Sequence, residues 1–211
     1  MDLFGKSLLD FHLKNPKPLF FKIGDNKFER DVSQYFRRDI KLFSQEELEL
    51  FTLCNGRTLD IGSGTCNYHF LMKSDVVGID NSTYLNQIAK DFNAKTINSD
   101  IYNFNSDHKF DSFCILGNSL GLGGSLENVL SLIFKMKDLS NPGASAYIIQ
   151  KDISAPYETY DIEIEYNNFT EKIQWLSINR FYLMELLNSL NIKSEVLSVS
   201  SGNYLLRIYN F

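Results

Sequence analysis

The fold is decided by Arg57-Thr58-Leu59-Asp60-Ile61-Gly62-Ser63-Gly64-Thr65-Cys66-Asn67, followed downstream by Val76-Val77-Gly78-Ile79-Asp80. In the first stretch a short apolar run ends in an acid, and two glycines then flank one residue. The second stretch is another apolar run that ends in an acid. This order predicts a strand, a tight glycine turn, a helix start and a second strand whose tip presents a carboxylate. Such a unit holds an adenosine-containing cofactor.

Three kinds of cofactor site compete for a glycine turn after a first strand. A P-loop needs a lysine that reaches phosphates, but no lysine follows Gly62 until Lys73. A dinucleotide site needs a third glycine where this chain has Asn67, and its pyrophosphate would lie close to the Asp60 carboxylate. Because like charges repel, that acid disfavours NAD and FAD. S-adenosylmethionine fits better, since it carries an ammonium and a sulfonium and no phosphate.

The opening stretch resembles motif I of the class I S-adenosylmethionine-dependent methyltransferases, an acid followed by G-x-G-x-G at the end of the first strand. Asp60, Gly62 and Gly64 match this motif, and Cys66 replaces its third glycine. The resemblance covers roughly residues 35–150. It implies an α/β fold with a Rossmann-like, seven-stranded, mainly parallel sheet flanked by helices, and S-adenosyl-L-homocysteine as the product of the cofactor.

Strand and helix patterns alternate through the middle of the chain, which predicts βαβ units and a mainly parallel sheet. The predicted strands are 57–61, 75–80, 94–98, 110–117 and 144–151, and the predicted helices are about 66–73, 83–92 and 125–139. Two further strands follow a helix at 180–190, and in the resembling family they form the antiparallel edge of the sheet. They are predicted at about 192–200 and 203–210.

We expect one methyltransferase domain over residues 1–211, divided into four parts: an N-terminal helical lid (1–52), a cofactor-binding core (53–152), an inserted β-hairpin (153–179) and a C-terminal helix with edge strands (180–211). In the lid, an amphipathic helix begins at Leu3 and stops before Asn15-Pro16. A second helix is predicted over 30–38. The capping-box pattern Ser44-Gln45-Glu46-Glu47 opens a third.

The predicted cofactor-binding residues lie where strands end. The two glycines let the backbone approach the methionine part of the ligand, and Asp80 suits two ribose hydroxyls. The resemblance implies that Asp100 accepts the adenine amino group and that the Ile101 backbone also contacts the base. The alternatives are a simple turn for the two glycines, a helix cap for Asp80 and a turn cap for Asp100. The full set is Asp60, Gly62, Ser63, Gly64, Asp80, Asn81, Asp100, Ile101, Gly117, Arg37 and Arg38.

The candidate catalytic residues are Asn118 and Tyr35. Asn118 begins a glycine-rich segment similar to the L-G-N-[NS]-x-G segment of small-molecule and peptide methyltransferases, where this strand end lines the acceptor pocket. A flexible glycine loop is the alternative. Tyr35, Arg37 and Arg38 resemble the Y-F-R element of the lid in the same branch. At most one of the two arginines would pair with the cofactor carboxylate, because neighbours on a helix point in different directions.

Three aromatic residues in and before the hairpin, Tyr157, Tyr160 and Trp175, are candidates for the wall of the acceptor pocket, with ordinary packing as the alternative. The reaction implied is an in-line transfer of methyl to nitrogen or oxygen, with catalysis mainly by positioning. A hydroxyl acceptor usually needs a base, and none of the three histidines stands at the expected acceptor position. This favours an amine or an acidic acceptor.

Composition limits the partners. The formal net charge of -5 gives no field that would attract nucleic acid, so the expected partner is a small-molecule or peptide methyl acceptor. Three cysteines without metal-ligand spacing and the lack of a long apolar run predict a cytoplasmic protein that does not contact the membrane. The alternatives are a cofactor-binding module without turnover, a protein or RNA methyltransferase, and a nicotinamide-dependent dehydrogenase.

Overall fold

The structure is a computed structural model that describes residues 1–211. Helices and strands occur in the following order: α1 Leu3–His12, β1 Leu19–Ile23, β2 Asn26–Glu29, α2 Gln45–Leu53, β3 Arg57–Ile61, β4 Asp75–Asp80, α3 Thr83–Asp91, β5 Thr96–Asn98, β6 Phe110–Ile115, α4 Leu126–Leu139, β7 Ser140–Lys151, β8 Tyr157–Tyr166, β9 Phe169–Ile178, α5 Arg180–Ser189, β10 Lys193–Ser200 and β11 Asn203–Tyr209. Short 3₁₀ turns lie between them at Val32–Phe36, Ile40–Leu42, His69–Leu71 and Ser119–Gly123.

The large sheet has seven strands in the order β10-β11-β7-β6-β3-β4-β5. Strands β5, β4, β3, β6 and β7 run parallel, whereas β11 pairs antiparallel with β7 and with β10. The predicted seven-stranded, mainly parallel sheet is therefore confirmed, including its antiparallel C-terminal edge. Because β3, β4, β5 and β6 are parallel, the loops that follow them leave the sheet at one edge.

A second sheet of four strands has the order β2-β1-β8-β9. The predicted hairpin is confirmed as β8 and β9, which pair from Tyr157↔Ile178 to Tyr166↔Phe169. Strands β1 and β2 were not predicted, since residues 1–52 were assigned helices and a turn at Gly24-Asp25-Asn26. The apolar run Leu19–Ile23 followed by the turn at Gly24 has the pattern of a hairpin, and β1 extends the inserted sheet by pairing with β8.

Two predicted helices are wrong. Over 66–73 the structure has only the 3₁₀ turn His69–Leu71. Cys66 takes a left-handed conformation with φ of 53°, so no α-helix starts there, and the side chains of Tyr68 and His69 then bind Asp60. Over 30–38 it has only the 3₁₀ turn Val32–Phe36, and Arg37 is extended. The predicted capping box is confirmed, since Ser44 and Glu47 exchange side-chain to backbone hydrogen bonds at the start of α2.

The core has a layer on each face of the large sheet. The larger cluster packs α4 and α5 against one face, with residues such as Phe113, Ile133 and Leu187 fully buried. The other face is covered by α2, where Phe51 stacks on Tyr68. The third and fourth clusters pack α1 against the small sheet and against α3. None of the helices is long and apolar enough to cross a membrane.

The two sheets meet at the loop after β6. A Cβ on Gly121 would lie 2.4 Å from the carbonyl oxygen of Leu176 and 2.4 Å from Nε1 of Trp175, both in β9. Only glycine allows this approach, because real Cβ atoms do not come so close to backbone. The loop that carries Asn118 is thus held against the small sheet.

We expect Gly121→Ala to lower the free energy of unfolding by about 1–3 kcal/mol, the usual cost of overpacking. The matched control is Gly123→Ala in the same turn, where the nearest atom to a Cβ is Asn128 Cβ at 3.1 Å. Urea denaturation of both variants measures the difference. Equal losses in the two variants would show that the contact with β9 does not fix this loop.

Candidate functional site

The glycine loop after β3 folds back over β4. Gly62 and Gly64 have φ of 69° and 56°, in the left-handed region that favours glycine, and the N–H groups of Gly62 and Ser63 donate to the carbonyl of Ile79 at 2.9 and 3.2 Å. A Cβ on Gly64 would meet no atom within 4 Å. The loop therefore presents bare backbone to open space at Gly64.

Gly78 is a site residue that the sequence interpretation did not single out. It lies inside β4, and a Cβ there would be 2.5 Å from Ser63 Oγ and 2.8 Å from Cys66 Sγ. The glycine loop can therefore pack on β4 only because Gly78 has no side chain. The signal was present in the sequence, since a glycine inside an apolar strand indicates a close approach of other groups.

Asp80 ends β4 and is fixed against the glycine loop. Its Oδ2 accepts the N–H of Gly64 at 3.0 Å, and its Oδ1 accepts the N–H of Ser82 at 2.9 Å. Burial raises the pKa of Asp80, and the nearby carboxylates of Asp2 and Asp60 add to this, while the two backbone hydrogen bonds lower it. The result is a positioned carboxylate whose negative charge is only partly compensated by the protein.

Asp60 lies beneath the loop and is fully buried. Its Oδ2 accepts the hydroxyl of Tyr68 at 2.6 Å and lies 2.7 Å from Nε2 of His69, and its Oδ1 lies 3.4 Å from the thiol of Cys114. Asp60 precedes the glycine loop, and its partners Tyr68 and His69 lie in the turn that directly follows it. These contacts hold the two ends of the glycine loop close together.

His69 is charged at neutral pH. Burial lowers the pKa of His69, but the hydrogen bond with Asp60, the nearby thiol of Cys66 and the charge of Asp60 outweigh it and raise the pKa to about 10. The imidazolium and Asp60 therefore form a buried ion pair at 2.7 Å, and Tyr68 satisfies the carboxylate further.

The predicted adenine-side residues follow β5. Asp100 is exposed, and its Oδ1 accepts the N–H of Tyr102 at 2.9 Å, which is the turn cap named as the alternative role. Ile101 packs against the larger core cluster. Ser99 N–H and Asn98 Nδ2 both donate to the carbonyl of Asp80, so this loop is joined directly to the end of β4. Asn81 is exposed.

The loop after β6 closes the other side of the glycine loop. Gly117 and Asn118 both have positive φ, and a Cβ on Gly117 would meet no atom within 4 Å. Asn118 is half-buried, and its Oδ1 accepts the N–H of Lys151 at 2.5 Å, which anchors it to the end of β7. A Cβ on Gly62 would lie 3.1 Å from Ser119 Cβ, so the structure brings Gly62 and this loop together.

The segment from Tyr35 to Arg38 lies over the glycine loop through its backbone. The hydroxyl of Thr65 donates to the carbonyl of Tyr35 at 2.6 Å, and Nδ2 of Asn67 donates to the carbonyl of Arg37 at 3.3 Å. The Tyr35 hydroxyl accepts two hydrogen bonds from Arg30, at 3.1 and 2.8 Å.

The two predicted arginines have other partners. Arg37 forms an ion pair with Glu47 of α2 at 2.7 Å. The Arg38 guanidinium lies between the rings of Phe70 and Phe92, 4.7 and 4.8 Å from their centroids, beside the residues that precede β4. The structure thus does not bring Arg38 together with Asp80.

The N-terminus adds a contact that the sequence interpretation missed. Asp2 caps α1 by accepting the N–H of Gly5 at 2.7 Å, and it also accepts the hydroxyl of Ser82, two residues after Asp80. No local sequence pattern indicates this pairing, because Asp2 and Ser82 are far apart in the chain. The contact places the start of α1 at the carboxyl edge of the large sheet.

Comparison with known proteins gives the fold. A crystal structure of a SAM-dependent methyltransferase from Bacteroides fragilis, in complex with S-adenosyl-L-homocysteine, matches with a TM-score of 0.88 and 22% identity over 98% of this chain and 94% of that chain. An amino pentose methyltransferase from Micromonospora echinaspora matches with a TM-score of 0.56 and 12% identity, over 79% of this chain and 88% of that one. A sugar N-methyltransferase from Streptoalloteichus matches with a TM-score of 0.57 and 12% identity, over 77% of this chain and 83% of that one.

No family model matches the sequence, and no curated protein matches it closely enough to be recognised. The likeness is therefore one of structure. The chain has the fold of the class I S-adenosylmethionine-dependent methyltransferases, as its motif-I stretch predicted.

The raised pKa of His69 predicts a pH dependence of stability. An imidazole whose pKa is about 10 in the folded protein and near 6.5 in the unfolded chain stabilises the fold fully below pH about 6.5. This contribution, at most about 5 kcal/mol, is lost as pH rises to about 10. Urea denaturation at pH 6, 8 and 10 should show falling stability in the parent protein and a flatter profile in His69→Gln. The control His108→Gln, at an exposed position, should keep the parent slope.

Proposed function

We propose that this protein transfers the methyl group of S-adenosylmethionine to a nitrogen or oxygen of a small molecule or short peptide. The observation that carries the proposal is the direct hydrogen bond between the Asp80 carboxylate and the N–H of Gly64, at 3.0 Å. It joins an acid that suits ribose hydroxyls to a loop whose backbone is bare. The fold of the neighbouring structures supports the same activity.

The residues present fit this cofactor. Gly64 in the loop after β3 and Gly117 in the loop after β6 both leave open space where a Cβ would lie. In the proposal, Asp80 holds the ribose, while Asp100 and the backbone of Ile101 lie on the adenine side. A dinucleotide site would need a third glycine in the loop, where this chain has Asn67. The neighbour from Bacteroides fragilis contains S-adenosyl-L-homocysteine, which supports the choice.

The chain's own part in catalysis is positioning. The cofactor supplies an electron-poor methyl on a sulfonium, so activation of the methyl group needs no protein group. We assign Asn118 to the acceptor side, where the Lys151 N–H fixes its Oδ1 and its amide N–H groups remain free to donate. Tyr35 belongs to the lid in this proposal, since its carbonyl holds Thr65 of the glycine loop.

An amine is the favoured acceptor. A hydroxyl acceptor usually needs a base such as histidine. His69 is buried in its ion pair with Asp60, His12 contacts Asp91 in α3 at 3.0 Å, and His108 precedes β6 at the opposite edge of the sheet. None of them belongs to the loop that carries Asn118. The printed names of two neighbours, an amino pentose methyltransferase and a sugar N-methyltransferase, support an amine.

Calorimetric titration with S-adenosyl-L-homocysteine tests the cofactor. We expect binding by the parent protein, and a loss of about 1–3 kcal/mol in Asp80→Ala because the ribose hydroxyls lose their acceptor. Asp107→Ala is the matched control, since Asp107 is an exposed acid in the loop before β6. No binding by the parent protein would overturn the cofactor assignment, and an unchanged affinity in Asp80→Ala would overturn the ribose assignment.

Turnover separates an enzyme from a module that only binds the cofactor. Release of S-adenosyl-L-homocysteine is measured with matched pairs of amino sugars and their hydroxyl analogues. We expect turnover with the amines, rising with pH as the amine loses its proton, because only the free base has a lone pair for the methyl group. Cofactor binding without turnover across a broad set of amines and alcohols would favour the binding module.

A further inference from the structure

The start of α1 is anchored on two sides. Asp2 is the N-cap of this helix, where its Oδ1 accepts the N–H of Gly5 at 2.7 Å. Its Oδ2 accepts the hydroxyl of Ser82, in the loop after β4. One residue later, the N–H of Leu3 donates to Glu171 of β9 at 2.7 Å. The first turn of α1 is therefore held at the carboxyl edge of the large sheet by Asp2 and at the small sheet by Glu171.

Ser82 connects Asp2 to Asp80. The N–H of Ser82 donates to Oδ1 of Asp80 at 2.9 Å, and its Oγ accepts the N–H of Leu85 at 3.1 Å. The one proton of the Ser82 hydroxyl goes to Asp2, and Ser82 is buried, so bulk water has little access to this bond. Since Oδ2 of Asp80 accepts the N–H of Gly64, a chain of hydrogen bonds runs from the start of α1 to the glycine loop.

The packing at Gly5 makes this contact specific. A Cβ on Gly5 would collide with Oδ2 of Asp2 and with Oγ of Ser82. The helix can approach the loop after β4 only because it has a glycine at the point of contact. Behind the contact, α1 and α3 share an apolar cluster that includes Leu8 and Ile88, both buried. Displacement of α1 would therefore also displace Ser82.

We propose that Asp2 is a positioning residue of the cofactor site. By holding Ser82 it fixes the turn that presents Asp80 to the ribose hydroxyls, so docking of the α1 start and binding of the cofactor strengthen each other. This role rests on the proposed function, since it takes Asp80 as the acid that binds the ribose.

Calorimetric titration with S-adenosyl-L-homocysteine at pH 7 tests the positioning role. Asp2→Ser keeps an N-cap oxygen for Gly5 but has no second oxygen for Ser82, and we expect it to bind at least five-fold more weakly than the parent protein. Asp2→Asn keeps a polar atom at both contacts and should bind within two-fold of the parent. The matched control Asp39→Ser changes another acidic N-cap, that of the turn Ile40–Leu42, and should leave the affinity unchanged.

Two further variants separate this contact from docking of α1 in general. Gly5→Ala pushes Asp2 and Ser82 apart without removing a polar group, and alanine favours the helix, so it should bind at least three-fold more weakly and remain folded by circular dichroism. Glu171→Ala releases only the anchor at the small sheet and should bind like the parent protein.

The outcomes distinguish this role from the proposed function. No binding by the parent protein would overturn both. Binding by the parent with unchanged affinity in Asp2→Ser and Gly5→Ala would overturn the positioning role alone. The same holds for an equal loss in Asp2→Ser and Asp2→Asn, or for an equal loss in Asp2→Ser and Glu171→Ala.

Hydrogen exchange tests the reverse direction of the coupling. Coupling between two sites is reciprocal, so a bound cofactor should hold the start of α1 more firmly. We expect S-adenosyl-L-homocysteine to slow exchange of the Gly5 amide at least three-fold in the parent protein and to leave it unchanged in Asp2→Ser. An equal effect in the two proteins, or no effect in a parent protein that binds the ligand, would overturn the coupling.

Discussion

The structure depends on one buried carboxylate. Asp60 is fully buried at the centre of the large sheet and accepts the Tyr68 hydroxyl and the protonated His69. An unpaired charge there would be strongly destabilising, so the segment after the glycine loop has to bring both partners inward. The ion pair therefore replaces a first helix with a short turn and fixes the glycine loop above it.

From this anchor the carboxyl edge of the sheet is assembled by backbone contacts. Gly78 lets Ser63 and Cys66 pack on β4, and Asp80 then reaches the N–H of Gly64. The small sheet closes the edge from the other side, where Gly121 allows β9 to touch the loop after β6. Glycine is needed wherever one of these backbones approaches another group, so these positions determine the shape of the proposed site.

The regular part of the fold was predictable because it repeats a local pattern. The strands β3 and β4 were predicted at their observed bounds, since apolar runs that end in an acid are visible within a few residues. The helix over 66–73 and the one over 30–38 failed for a tertiary reason. In the segment 66–73 the His69 side chain binds Asp60, and in the segment 30–38 the carbonyl of Tyr35 accepts the hydroxyl of Thr65. These tertiary hydrogen bonds outweigh the local helix propensity.

By itself the sequence determined the alternation of strands and helices in the core, the glycine turn and the acids at the strand ends, because spacing along the chain encodes them. Only the tertiary structure decided which side chains contact one another. It pairs Arg37 with Glu47, places Arg38 against the rings of Phe70 and Phe92, and sets Asp2 beside Ser82. Such pairings join residues far apart in the chain, and they are set by burial and by the need to satisfy each buried polar group.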